Sequence, residues 1–117
     1  MKTVLIVDDN AELHFLAGLI LHNKAVKAVH AYTVEEAVTA LQEQGIDVVS
    51  LDFQLAQGTT EPLAEVLALS TAKPRTVTVH SMHVRAYDLR PILEKNPLIT
   101  VKYAMVNDAE WLATMEQ

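Results

Sequence analysis

The sequence predicts an α/β domain, a parallel sheet of five strands with helices on both faces. Two observations predict it. Along 117 residues, short runs rich in β-branched residues alternate five times with stretches of helical periodicity. Alternation of that kind builds parallel sheets. The central runs are also nearly continuous in apolar residues, as strands covered on both faces must be.

Val4-Leu5-Ile6-Val7 is the first strand, and it runs straight into Asp8-Asp9. Leu13, Leu16, Ala17, Ile20 and Leu21 then recur at helical spacing and predict one apolar stripe. Ala25 to Ala31 has a weaker pattern and reads as an edge strand. Thr33 with Glu36 forms a capping box for a second helix through Leu41, and Gly45 marks its stop. Val48-Val49-Ser50-Leu51 is the third strand and ends at Asp52. Leu63, Val66 and Leu67 predict a third helix, with Pro62 tolerable in its first turn. Val77-Thr78-Val79 is the fourth strand, followed by His80-Ser81. Asp88 is placed to cap a fourth helix, with Pro91 near its start and Asn96-Pro97 beyond its end. Leu98-Ile99-Thr100-Val101 is the fifth strand and leads into Lys102. Asn107 and Glu110 have capping-box spacing before Trp111-Leu112. Phe15 and Trp111 are expected to pack between helix and sheet. His14, His22 and His30 read as surface residues.

Composition narrows the function. Half of the residues are hydrophobic, enough for a core without covalent staples. The absence of cysteine excludes disulfides, thiolate nucleophiles and cysteine-bound metals, and suits a reducing cytoplasm. Fifteen acids against nine bases give a net charge of −6, which argues against direct binding to a phosphate backbone. No apolar run approaches the ~20 residues of a membrane span. Met1-Lys2-Thr3 leads directly into the first strand, so no signal peptide is expected.

In parallel sheets, ligands bind beyond the carboxyl ends of the strands. Asp8 and Asp9 follow the first strand, Asp52 the third and Ser81 the fourth, while Lys102 ends the fifth. If strands one and three are neighbours, three carboxylates meet at one rim. Like charges ~4 Å apart repel by roughly 1–4 kcal/mol per pair, so stability alone gives no reason to assemble them. A divalent cation removes that repulsion, and an all-oxygen set suits Mg2+. A cation, a hydroxyl and an ammonium around one carboxylate make a site for a phosphoryl group. Asp52 would then be the nucleophile and form an aspartyl phosphate, with the cation and Lys102 neutralising the transferred charge. One aspartate after a strand is an ordinary cap or turn residue. Five such residues at the ends of four parallel strands are not explained that way.

Over nearly its whole length the chain resembles the receiver domain of bacterial two-component response regulators. "VLIVDDN" matches the family's acidic pair and "GIDVVSLDFQL" its segment around the phosphorylated aspartate. "VTVHS" matches the strand ending in Ser or Thr, and "ITVK" the strand ending in Lys. The resemblance implies a flavodoxin-like (βα)5 three-layer sandwich with strand order 2-1-3-4-5, and a single receiver domain over residues 1–117. It implies that Asp8, Asp9, Asp52 and the backbone carbonyl of Gln54 hold Mg2+. Asp52 would accept a phosphoryl group from a histidine kinase or phosphotransfer protein, and Ser81 and Lys102 would bind its oxygens. Catalysis would extend no further than the domain's own phosphorylation and dephosphorylation. Output would reach a downstream protein partner through the fourth helix, fifth strand and fifth helix, a face that also offers a homodimer contact.

The chain departs from the family pattern at several positions. Tyr103 stands where a cis proline usually follows the lysine, and without proline a trans peptide is expected. Ala56 and Thr60 replace the usual proline and glycine after the phosphorylated aspartate, and Gly58 comes early. Met82 replaces a small residue beside Ser81. Ile99 stands at the aromatic switch position, which leaves Tyr103 as the coupling candidate. Pro91 shortens or kinks the fourth helix. His83 and Gln54 occupy positions that tune phosphoryl hydrolysis in the family. "VHSMH" with "LDFQL" also resembles a divergent receiver-like group linked to the processing of cyclic phosphates, where His80 would serve as an acid-base residue. A further alternative is a pseudo-receiver that keeps the acids and works as a protein-binding or dimerisation module.

Overall fold

The computed structural model describes residues 2–52, 54–55, 58–59, 67, 74–80 and 89–116. Five strands form one sheet: β1 (Lys2–Val7), β2 (Val26–Ala31), β3 (Val48–Leu51), β4 (Arg75–Val79) and β5 (Ile99–Tyr103). Their order is β2-β1-β3-β4-β5, and every pair is parallel. The predicted 2-1-3-4-5 order is therefore the observed one, with the weakly patterned β2 at an edge. Gln54–Leu55 and Gly58–Thr59 form a separate short antiparallel pair just beyond β3.

Among the described residues the helices are α1 (Ala11–Leu21), α2 (Val34–Glu43), α3 (Arg90–Leu93) and α4 (Ala109–Glu116). Of the third helix predicted from sequence, Leu67 is helical and buried. Pro62, Leu63 and Val66 lie outside the described residues, as does Asp88. Thr33 caps α2 as expected, its hydroxyl accepting the Glu36 N–H at 3.1 Å. The Glu36 carboxylate reaches back one residue further than a standard box, to the Tyr32 N–H. The last helix begins after Asp108, one residue later than the Asn107 cap predicted.

Alternation along the strands builds two cores. Leu5, Val7, Val49, Leu51, Val77 and Val79 face one side and pack with Ala37 and Ala40 of α2 and with Leu67, Leu89 and Leu93. Val4, Ile6 and Val48 face the other, against Ala17 and Leu21 of α1 and Trp111 and Met115 of α4. The sheet is thus the middle of three layers. Trp111 is fully buried, as predicted. Phe15 is not: it is 70% exposed, and Leu16 of the predicted stripe is also exposed. Helix α1 is apolar around most of its circumference, so the i, i+3, i+4 pattern did not determine which side meets the sheet. None of the described helices is long and apolar enough to cross a membrane.

Asn10 caps α1, its side chain accepting the Glu12 N–H at 2.9 Å. The helix therefore does not use Asp8 or Asp9 as its cap. Replacing Asn10 with Ala should cost about 1 kcal/mol in a urea melt. It should leave any stabilisation by Mg2+ intact, because the acids are untouched; loss of that response would mean that the cap and the acid cluster are one unit.

Candidate functional site

The sheet ladder runs one residue past the strand ends. The Asp8 N–H donates to the Ala31 carbonyl (3.1 Å), the Asp52 N–H to Val7 (3.0 Å) and the His80 N–H to Leu51 (2.9 Å). Val7, Leu51 and Val79 are level in the register, so Asp8, Asp52 and His80 stand side by side on fixed backbone. Ligand atoms of Asp8, Asp9 and Asp52 lie within 4.8 Å of one another, with Asp8 buried, Asp9 exposed and Asp52 between. These hard carboxylate oxygens fit Mg2+.

Lys102 is level with Ser50 and Thr78, two residues before the rim and on the same face of the sheet. Its stem must climb about 6–7 Å to reach the acids. The Gln54 backbone lies in the short antiparallel pair after Asp52. Ser81, Met82 and His83 lie outside the described residues, as do Ala56 and Thr60. Tyr103 sits on the opposite face from Lys102, packed against the core of β5, with the Arg90 guanidinium 5.6 Å from its ring centroid. No peptide among the described residues is cis, so the Lys102–Tyr103 bond is trans as predicted.

The site also contains a group whose surroundings the sequence did not reveal. His80 is only 2% exposed. Its Nε2 lies 2.9 Å from Asp8 Oδ2 and its Nδ1 lies 2.6 Å from Ser50 Oγ. Asp8 Oδ1 accepts the Asn10 N–H at 2.8 Å. Burial pushes the Asp8 carboxyl up, but the His80 and Asn10 hydrogen bonds, together with the nearby His80 and His14 imidazoles, outweigh it and hold the carboxyl below its ordinary value. Asp8 is thereby kept ionised within the rim. Both ring nitrogens of His80 are thus engaged inside the protein.

His14 corrects the reading of the surface histidines. It is 4% exposed. A carbonyl only accepts, so His14 Nε2–H donates to the Asp8 carbonyl at 2.7 Å. Its Nδ1 faces His30 Nδ1 at 2.6 Å, a gap that holds one proton. The Tyr32 ring lies 4.0 Å from the His14 ring, centroid to centroid. His22 and His30 lie at the surface, as predicted, His30 with one side of its ring covered by His14.

Partial burial, and then the nearby His14 charge, lower the His30 pKa below its ordinary 6.5. The unfolded chain then binds this proton more readily than the fold does. The associated stability is present in full above about pH 6.5 and is lost as pH falls towards the folded value. Denaturant melts from about pH 8 to about pH 5 should show a smaller loss for His30→Gln than for the wild type. Parallel curves would show that the pair does not feel protonation.

A family model for the cyclic-phosphate processing receiver domain matches residues 3–89. No curated protein matches the chain by sequence. The fold is similar to that of a two-component response regulator from Clostridium difficile, at 17% identity over 97% of this chain and 89% of that one, with a TM-score of 0.72. It is similar to the response regulator TrrA from Thermotoga maritima in complex with Mg2+-BeF, at 20% identity, 90% and 86% coverage and a TM-score of 0.70. It is also similar to the chemotaxis response regulator CheY4 of Vibrio cholerae, at 16% identity, 97% and 93% coverage and a TM-score of 0.72. At these identities the structures speak for the fold, and the family match covers most of the chain. With strand order, acid rim and family match in agreement, the chain belongs to the cyclic-phosphate processing receiver domains.

Proposed function

We propose that the rim binds a phosphate ester with Mg2+ and that the ester is a cyclic phosphate, which the domain opens to a monoester. The observation that carries this reading is the buried Asp8–His80 pair inside the acid cluster. The buried His80 behind Asp8 distinguishes this rim from one built of acids, a hydroxyl and a lysine alone. Hydrolysis of a cyclic diester adds water to phosphorus, breaks one ester P–O bond and returns a proton to the departing oxygen. Asp8, Asp9, Asp52 and the Gln54 carbonyl would hold Mg2+, which supplies charge neutralisation at the phosphate. Asp52 and Asp9 are the acids open to substrate, while Asp8 is held from behind. Lys102 would bind a phosphoryl oxygen, with Ser81 as the hydroxyl donor and Gln54, Met82 and His83 shaping access.

A second reading has its own support. Asp52 ends the central strand among the acids, with Lys102 on the same face. That arrangement equally suits a phosphoacceptor receiver, loaded in the cytoplasm by a histidine kinase or phosphotransfer protein. It would signal to a downstream protein, or to a second copy, across α3, β5 and α4. Tyr103, stacked on Arg90, would then be the residue that couples the rim to that face.

Millimolar Mg2+ should raise the melting temperature, with about 2.7 kcal/mol of stabilisation at 100 times Kd. Asp9→Asn should remove most of it. Identical melts with and without Mg2+ in both proteins would refute the cation site.

Turnover separates the two readings. Nucleoside 2′,3′- and 3′,5′-cyclic monophosphates with Mg2+ should yield monoesters, and Asp52→Asn should abolish the reaction. If neither is opened, and acetyl phosphate instead adds one phosphoryl group at Asp52 by intact mass, the phosphoacceptor reading replaces the first. If acetyl phosphate and beryllofluoride also leave no adduct, the pseudo-receiver reading remains.

A further inference from the structure

Ser50 lies in the middle of a parallel strand, fully buried between apolar neighbours. A hydroxyl in such a place is costly unless it is bonded. It has two partners, Trp111 Nε1 at 2.8 Å and His80 Nδ1 at 2.6 Å. An indole N–H can only donate, so Ser50 Oγ accepts from Trp111. Donating its single hydrogen to a bare His80 Nδ1 gives that hydrogen a partner within the group, whereas a protonated Nδ1 would take the second lone pair and leave the hydrogen without one there. The ring proton therefore sits on Nε2 and is donated to Asp8 Oδ2. One assignment of protons satisfies all four side chains, and its direction is set at Trp111.

We propose that Ser50 and Trp111 are positioning residues that hold His80 as its Nε2–H tautomer and thereby fix the Asp8 carboxylate at the rim. Asp8 meets the cation, His80 orients Asp8, and Ser50 with Trp111 orients His80. Nothing in the sequence singles out this chain, because its members lie on β3, after β4 and on α4. The inference deepens the proposed function and rests on it for its cation measurement alone.

The test combines 15N NMR of the histidine rings with Mg2+ titration, on the whole chain. The wild type should show a protonated Nε2 and a bare, hydrogen-bonded Nδ1 at His80. Ser50→Ala should remove the bond to Nδ1 and shift its signal, and Ser50→Thr should restore it. Trp111→Phe keeps a ring in the core but removes the directing donor, so His80 should average between tautomers. Mg2+ affinity should fall about 10-fold in Ser50→Ala and return in Ser50→Thr. A protonated Nδ1 in the wild type, or identical His80 signals in wild type and Ser50→Ala, would overturn the proposal. So would equal Mg2+ affinity in those two proteins. If the wild type binds no Mg2+, the phosphate-ester reading fails, and the ring signals still decide the positioning claim.

Discussion

The 2.9 Å bond from His80 Nε2 to Asp8 Oδ2 keeps a carboxylate charge just inside the sheet edge. A buried charge that loses its partner costs several kcal/mol, so Asp8 requires its donors, His80 on one oxygen and the Asn10 N–H on the other. His80 then requires a partner for its second nitrogen. In the interior that partner is Ser50, and Ser50 is completed by Trp111. One acidic residue placed at a strand end thus determines polar residues on β3, after β4 and on α4. The sheet makes this affordable, since the backbone of each rim residue is already tied into the ladder.

The second consequence concerns charge. Three carboxylates within 4.8 Å repel one another, and burial of Asp8 sharpens the repulsion. The His80 and Asn10 hydrogen bonds stabilise Asp8 as an anion, and the Asp9 and Asp52 carboxylates remain beside it. The remaining negative charge is what a divalent cation would answer. Each carboxylate oxygen has lone pairs beyond those used by one hydrogen bond. The donors behind Asp8 and a cation in front of it are therefore compatible.

The sheet order and the acid rim were legible in the sequence because both rest on local signals. A β-branched run followed by aspartate gives a strand and its carboxyl end together, and Thr33 with Glu36 announces a helix start. The polar interior was not legible. His80 meets Asp8 across 72 positions of chain and Trp111 meets Ser50 across 61. "VVSL" reads the same whether its serine is bonded or merely tolerated. His14 and Phe15 are neighbours on α1, and the sequence reading exchanged their burial. In a helix apolar around most of its circumference, the rotation is set by contacts elsewhere. Here His14 is fixed under the rim by the Asp8 carbonyl, and that turns Phe15 outward.

Two structures lead away from the rim, and their costs of change differ. On the α1–α4 face, the Asp8–His80–Ser50–Trp111 chain is buried and satisfied by one proton arrangement. Breaking any bond in it leaves a buried polar group unpaired, at about 1–3 kcal/mol. On the other face, Tyr103 meets an Arg90 that is half exposed, and such a cation–π contact is worth roughly 0.5–1 kcal/mol. An element that must adopt two states has to pass between them cheaply. The polar chain therefore works as a strut that holds the rim, and the Tyr103–Arg90 contact is the side on which a rearrangement costs little. Tyr103 projects from the same face of β5 as Ile99 and Val101. The polar chain and the Tyr103–Arg90 contact thus lie on opposite faces of the sheet, while α4 carries both Trp111 and part of the candidate signalling surface.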